Sequence, residues 1–423
     1  MKHVTKYLIL VFLISSPNLF GQSEIITQEL EPHPYLELNE LYAHSGGLTS
    51  EEVMKNDPSI EKSGIKRLNQ DVVISESSSK LKTENLIFIT LDGLRWKEMF
   101  TGADSVLINS KKFVNDRTAL KKSFWRETAH ERREALLPFF WSCIVEKGRI
   151  YGNRDLNSKM NLTNKVASSY PGYAEIFTGF ADESIINNAR IWNPNRNFLE
   201  CINDQPEFSG KVAAFTSWDR FVHILNRKRC EFPINAGFEK AIGDNLSEKE
   251  HLLNQLIDEC PNLWETVRLD ALTFHYAFEY FKREKPRMLY ISFAETDDFG
   301  HDGRYDSVLR SAHNVDSFIK QLWEYVQSDE MYKDKTTLIV TTDHGRGQTR
   351  DDWKGHSTKP DNYIAGSDEV WIAVMGPDTR AGGEMKNTKP ITTSQIAKTV
   401  AYFLGVEFNG SAKVGDIIDD MIK

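Results

Sequence analysis

Six side chains that could ligate a metal ion follow the ends of apolar runs, and one serine stands where a nucleophile could be placed. Asp92 lies in Asp92-Gly93. Asp297-x-x-Gly-His301 sets a carboxylate and an imidazole four residues apart on a turn, and Asp343-His344 sets them side by side. His356 follows in Trp353-Lys354-Gly355-His356. Carboxylate oxygen and imidazole nitrogen are standard zinc ligands. Six such groups are enough for two ions, and a pair of ions about 3.5–4 Å apart suits in-line displacement at phosphorus. The competing reading of each aspartate is structural, as a turn residue or helix cap. The nearby histidines favour the metal reading at Asp297 and Asp343.

The serine is Ser169, in the run Ser168-Ser169-Tyr170-Pro171-Gly172-Tyr173 that continues to Thr178-Gly179. Pro171 fits the first turn of a helix, where its missing N–H costs nothing. Ser169 then sits at or just before the N-cap. It could be only a capping residue. The same position also suits a nucleophile, because the positive end of the helix and a bound zinc would both favour the alkoxide.

Elements that bring these groups together can be read from the apolar pattern. Strands are predicted at Leu86–Leu91, Lys211–Phe215, Met288–Ala294, Thr337–Thr342 and Val370–Met375. Helices are predicted at Ala135–Val145, Trp264–Phe281 and Ser394–Leu404, the last stopped by Gly405. Another contains Val308, Leu309, Ala312, Val315, Phe318, Ile319 and Leu322 on one face. Alternating elements predict an α/β fold with a mostly parallel central sheet flanked by helices on both faces. Ligands of such sheets gather beyond the carboxyl ends of the strands. Asp92, Asp297 and Asp343 each follow a strand and are therefore expected at one rim.

The ordered set Asp92-Gly93, Ser169-x-Pro-Gly-Tyr, Asp297-x-x-Gly-His301, Asp343-His344-Gly345 and His356 resembles the alkaline phosphatase superfamily, and within it the type I phosphodiesterase and nucleotide pyrophosphatase branch. The resemblance spans about residues 86–405 and implies an alkaline phosphatase-like fold. It implies two Zn2+ per chain, one on Asp297, His301 and His356, the other on Asp92, Ser169, Asp343 and His344. The implied activity is hydrolysis of phosphate esters, diesters or monoesters, through a covalent phosphoserine on Ser169. His313 is the rival of His356, but it falls inside a long helix. In this branch an asparagine after the nucleophile helix donates to a phosphoryl oxygen. Asn188 is the candidate here, with Asn187 close behind. Arg190, Trp192, Asn193 and Asn195 follow on the same loop and could shape a substrate pocket, and Asp219 is a further candidate.

The chain has 423 residues, a net charge of −9, 40% hydrophobic and 27% charged residues, the balance of a soluble globular protein. No basic stripe appears, so no nucleic-acid surface is expected. The substrate is expected to be a small-molecule, glycan, lipid or nucleotide phosphate ester. Lys2, His3 and Lys6, the apolar run Tyr7–Ile14 and the turn-forming Ser15-Ser16-Pro17-Asn18 have the layout of a secretory signal peptide over residues 1–21. Residues 22–83 read as a polar extension, and 84–423 as the catalytic domain. The expected location is exported, periplasmic or secreted, with no transmembrane segment after signal removal. Cys143, Cys201, Cys230 and Cys260 leave open one pairing, such as Cys201 with Cys230, or ordinary buried thiols.

Two other functions compete with a phosphoesterase. A sulfatase of the same superfamily would carry Arg four residues after the modified Cys or Ser, and here that position is Tyr173. Sulfatases also favour calcium, whereas imidazole suits zinc. The other is a zinc-binding, non-catalytic relative, which the complete ligand set disfavours.

Overall fold

The computed structural model describes residues 81–423. The expected signal peptide, 1–21, and all but the last three residues of the polar extension lie outside the described residues. Eight strands form the main sheet: β1 (Asn85–Leu91), β2 (Arg149–Tyr151), β3 (Val212–Thr216), β4 (Ile234–Ala236), β5 (Met288–Phe293), β6 (Thr336–Thr341), β7 (Ile372–Met375) and β8 (Gly383–Glu384). Their order is β8-β2-β7-β6-β1-β5-β3-β4. β4, β3, β5, β1 and β6 run parallel, while β7 pairs antiparallel with both β6 and β2. A second sheet joins three two-residue strands, Met160–Asn161, Glu369–Val370 and Ile391–Thr392.

The centre of the sheet follows from its composition. Every residue of β1, β5 and β6 is buried, as expected when helices cover both faces of parallel strands. Alternate side chains divide between two cores. Ile87, Ile89 and Leu91 pack on one face with Leu289, Ile291, Phe293, Leu338 and Val340. Leu86 and Phe88 pack on the other with Met288, Tyr290 and Ile339.

Four helices carry or support the site: α1 (Ser169–Thr178), α2 (Asp270–Glu284), α3 (Glu295–His301) and α4 (Tyr305–Ser328). α1 lies on the Phe88 face, with the Phe177 ring 4.9 Å from Tyr290. α2 and α4 pack on the opposite face, where Phe274 and Phe318 stack at 4.5 Å.

Several predicted elements differ from those observed. The helix expected over Ala135–Val145 is two pieces, Ala129–Leu136 and a π-helical Phe140–Val145. Pro138 disfavours helical geometry at the residue before it, and Leu137 adopts φ −128°, ψ 65°. The helix expected from Trp264 starts at Asp270 instead. The preceding residues extend to form a bridge between Val267 and Trp218. Asp297 to His301 is a short helix, not a turn. The strand expected over Val370–Met375 is divided between the two sheets. The Gly405-terminated helix begins at Ile396, after a 3-10 turn over Thr393–Gln395.

Candidate metal and nucleophile site

Three adjacent strands end together. Leu91 of β1 is in register with Phe293 of β5, and Thr90 with Thr341 of β6. Asp92 and the segment beginning at Thr342 leave the sheet side by side, while Asp297 comes one turn into α3, directly after β5. The Asp92 N–H donates to Phe293 O at 2.9 Å, and the Thr296 hydroxyl donates to Asp92 O. Gly93 has φ +61°, and a Cβ there would lie 2.4 Å from Asp297 Oδ1. Only glycine lets these two loops approach so closely.

α1 brings in Ser169. Ser168 is the extended N-cap, Ser169 the first helical residue, and Gly179 closes the helix at φ 79°. All ten residues of the helix are buried. A Cβ on Gly172 would lie 2.5 Å from Asp343 O, so glycine permits the first turn to rest on the loop after β6. Ser169 Oγ is 3.3 Å from His344 Nε2.

The donor atoms converge in two groups. Around His344 Nε2 lie Asp92 Oδ1 at 3.3 Å and Asp343 Oδ2 at 3.5 Å, besides Ser169. Around Asp297 lie His301 Nε2 at 3.0 Å from Oδ2 and His356 Nε2 at 3.8 Å from Oδ1, with the two imidazole nitrogens 3.1 Å apart. Asp92, Asp343 and His344 can offer ligand atoms within 4.8 Å of one another, and so can Asp297, His344 and His356. His344 thus stands in the wall between the groups, its ring stacked on His356 at 3.8 Å. All the proposed ligand residues, Asp92, Ser169, Asp297, His301, Asp343, His344 and His356, are brought to this rim.

Backbone carbonyls orient two imidazoles. His356 Nδ1 is 2.7 Å from Ala167 O, and His344 Nδ1 is 2.9 Å from Gly345 O. Donation to a carbonyl places the proton on Nδ1 and leaves Nε2 free for a metal. Ala167 is in the left-handed region at φ 47°, a conformation uncommon outside glycine. It is fully buried and held by Asn164 Oδ1, which accepts its N–H at 2.9 Å.

The electrostatics show what is missing from the protein's own bonding. Burial, then the neighbouring Asp297 and Asp298, push the Asp92 carboxyl well above its usual range. Burial and Asp92 do the same to Asp343. Burial also opposes ionisation of Asp297, yet His301, Arg346 and His356 hold its carboxyl well below the usual range. Burial and the adjacent His344 keep His356 neutral. Asp92 Oδ1 and Asp343 Oδ2 are buried acceptors without a hydrogen-bond partner among the described residues. Buried, unsatisfied carboxylate oxygens are costly, and two of them facing the same imidazole nitrogen fit a cation.

Two further residues contribute: Arg346, which no motif marks, and Tyr173, which the serine motif contains without assigning it a role. Arg346 is buried and forms an ion pair with Asp297 Oδ1. Its other nitrogens donate to Trp353 O and Lys354 O, tying the His356 loop to α3. The charge count around Asp297 could have pointed to it, since three clustered aspartates call for basic neighbours. Tyr173 donates its hydroxyl to Asp92 Oδ2 at 3.2 Å. This is the position where a sulfatase would carry Arg.

Beside α1, Asn188 Oδ1 accepts the Tyr170 N–H at 2.9 Å, and Arg220 Nε donates to Asn188 O at 3.1 Å. Asn187 instead turns back on its own loop to accept the Ala189 N–H. Asp219 pairs with Arg190 at 2.9 Å. The Trp192 ring lies tilted against His223, with centroids 4.4 Å apart. Asn193 is buried and accepts the Asn195 N–H, so it serves the loop. His313 faces away from the rim, its Nδ1 2.8 Å from Leu136 O. All four cysteines are free thiols, and Cys230 Sγ donates to Leu225 O. Among the described residues no helix is long and apolar enough to cross a membrane.

The chain is similar to several known proteins. The 2,3-bisphosphoglycerate-independent phosphoglycerate mutase of Gloeobacter violaceus is 28% identical over 141 residues, 30% of this chain and 24% of that protein. The enzyme of the same name from Ureaplasma urealyticum is 21% identical over 232 residues, 54% of this chain and 40% of that protein. The chain therefore spans less than half the length of either relative. Among solved structures, the alkaline phosphatase PafA superposes with a TM-score of 0.51 at 12% identity, covering 81% of this chain and 99% of that one. That likeness establishes a shared fold. The profile of type I phosphodiesterase / nucleotide pyrophosphatase matches residues 149–401, more than half of the chain. That match shows that this chain belongs to the type I phosphodiesterase / nucleotide pyrophosphatase family, built on a fold it shares with an alkaline phosphatase.

Proposed function

We propose that this protein hydrolyses phosphate esters through a covalent phosphoserine on Ser169, with two zinc ions held at the rim. Asp297, His301 and His356 would hold one, and Asp92, Ser169, Asp343 and His344 the other. The observation that carries the reading is the pair of unpartnered buried acceptors, Asp92 Oδ1 and Asp343 Oδ2, aimed at the same imidazole as the Ser169 hydroxyl. When bound, the ions would supply Lewis acidity for the serine hydroxyl, the phosphoryl oxygens and the departing group.

The chain's own residues perform the rest. α1 fixes Ser169 at its first turn, which limits the orientations its Oγ can take toward phosphorus. Pro171 has no N–H, Tyr170 N–H is committed to Asn188, and Gly172 N–H returns to Ser168 O at 2.9 Å. The helix amides are thus mostly occupied. The donor for a phosphoryl oxygen becomes Asn188 Nδ2. Its orientation is fixed because Oδ1 must be the atom that accepts from Tyr170. Phosphorus accepts the Ser169 oxygen as the alcohol departs, and a water then releases phosphate or a phosphomonoester and restores the serine. The substrate is a small-molecule, glycan, lipid or nucleotide phosphate ester, met after export to the periplasm or outside.

The test combines turnover of mono- and bis-nitrophenyl phosphate with zinc content on the same sample. Wild type should turn over at least one of them with about two zinc ions bound. Ser169→Ala should remove turnover and retain most of the metal. Turnover surviving in that variant would exclude Ser169 as nucleophile, and an aldehyde at Ser169 would point to a sulfatase.

A further inference from the structure

Behind the rim lies a buried polar cluster that no motif marks. Asp270 opens α2 and Glu295 opens α3, and each caps the helix of the other. Asp270 N–H donates to Glu295 Oε1 at 2.9 Å, and Glu295 N–H donates to Asp270 Oδ2 at 3.2 Å. Asp270 Oδ1 accepts the Ala294 N–H at 2.8 Å and the Ser217 hydroxyl at 2.7 Å. Ser311 of α4 donates to Glu295 Oε2 at 2.6 Å. Asp270 is 2% exposed and Glu295 8%. Nearby, the fully buried guanidinium of Arg268 donates to Thr273 Oγ1 at 3.0 Å, and Thr273 meets the same Ser217 hydroxyl at 2.8 Å.

This is a capping box divided between two helices. It satisfies backbone donors that would otherwise be orphaned at each start. Its consequence for the site is one of distance along the chain. Ala294 and Glu295 are the joint between β5 and α3, and Asp297 follows two residues later with its N–H on Ala294 O at 3.1 Å. The ends of β3 and β5, the start of α2 and Ser311 within α4 therefore fix the backbone from which Asp297 and His301 project. Neither carboxylate is in either group of converging ligand atoms.

We propose that Asp270 and Glu295 are positioning residues, a reciprocal helix cap that sets α3 so that Asp297 and His301 present their ligand atoms to one metal ion. The inference rests on the reading of those two residues as metal ligands. Partners outside the first layer typically tune metal affinity by about 10–100-fold.

The experiment uses the full chain and measures zinc affinity by competition with a chromogenic chelator, beside the melting temperature of the metal-free protein. Asp270→Ala and Glu295→Ala should each weaken zinc binding about 10–100-fold. Glu295→Gln should restore near-wild-type affinity. Its carbonyl oxygen still accepts the Asp270 N–H, and the Ser311 hydroxyl can rotate to accept from the amide. Asp270→Asn should fall between, since it must face an amide group toward a backbone N–H or a hydroxyl. Glu250→Ala is the control. Glu250 is equally buried, caps its own helix with Ser247 and pairs with Arg283. It should lower the melting temperature without changing zinc affinity. Zinc held as tightly by the Asp270 and Glu295 alanine variants as by wild type would overturn the proposal, as would equal weakening in Glu250→Ala. If those alanine variants do not fold, wild-type affinity in Asp270→Asn overturns it. A wild-type protein that binds no zinc would instead bring down the metal reading on which it stands.

Discussion

Buried carboxylates lie toward both ends of the nucleophile helix, and they are bonded in opposite ways. Glu175, on α1 itself, is fully buried and accepts from the Thr163 N–H and hydroxyl and from the Asn164 N–H and side-chain amide, at 2.9–3.1 Å. Both of its oxygens are satisfied. Asp92 and Asp343, at the other end of the helix, are almost as buried, yet each has an oxygen that meets no donor. The first arrangement holds a loop to a helix and needs nothing more. The second is incomplete as a piece of protein structure, and a cation would complete it. Burial of an acid is therefore not the mark of the site. Two such oxygens without donors, converging on one imidazole nitrogen, are.

The comparison is broken most directly by separating activity from stability. Ser169→Ala should lower kcat by at least about 10³-fold, the scale of losing an activated nucleophile, with zinc content and melting temperature near wild type. Glu175→Ala should do the reverse. Leaving several buried donors unpaired should cost about 3 kcal/mol of stability, at roughly 1–3 kcal/mol for each buried orphan. The fraction that stays folded should keep its kcat. Denaturant unfolding and active-site titration on the same preparations distinguish the two. A Glu175 variant that is stable but inactive would erase the contrast.

What the sequence made legible follows the same physics. β1, β5 and β6 are buried on both faces, so they read as continuous apolar runs, and parallel packing then brings Asp92, Asp297 and Asp343 to one rim. The break before Pro138 and the late start of α2 at Asp270 were less visible. Both depend on what the preceding residues contact: Leu137 leaves helical geometry, and Val267 bridges to Trp218. Arg346 was missed because one arginine after Asp-His-Gly has no periodic signature. Its role appears only when the loop folds back on Asp297. The Asp270–Glu295 pair was invisible for a similar reason, since its partners are 25 residues apart in the chain.

Smaller effects sharpen the contrast. Asn188→Ala removes a donor free to meet a charged phosphoryl oxygen, for which hydrogen bonds are worth about 1.5–3 kcal/mol. It should lower kcat/KM about 10–100-fold while Ser169 can still be phosphorylated, as quenched-flow labelling would show. An unchanged kcat/KM would leave Asn188 only its bond to Tyr170. Proton linkage gives another measure. Burial and neighbouring carboxylates push Asp92 and Asp343 above the usual carboxylate range, so ionising them to hold zinc costs more as pH falls, whereas His356 is pushed toward its neutral, metal-binding form. Zinc affinity should fall as pH falls, because ligands must be deprotonated to bind. Asp343→Asn should flatten that dependence by up to about one proton per chain. Chelator competition as a function of pH reads the slope, and an equal slope in the variant would show that zinc displaces no proton from Asp343.

The smallest expected effect is at Tyr173. Its hydroxyl donates to Asp92 Oδ2 at 3.2 Å and accepts from the Ser292 hydroxyl at 3.3 Å. Asp92 therefore has one oxygen held by the protein and one left open, a division that presents Oδ1 to a cation. Tyr173→Phe keeps the ring packed 4.6 Å from Phe221 and removes only the donor. The carboxylate can then rotate, and outer partners of this kind are worth about tenfold in metal affinity. The stability of the metal-free protein should change little, because the Ser292 hydroxyl can turn to another acceptor. If zinc binds Tyr173→Phe as tightly as wild type, the orientation of Asp92 comes from its backbone bonds to Phe293 and Thr296 alone. The open oxygen would then reflect where the strand ends, with no contribution from the tyrosine that occupies the position of the sulfatase arginine.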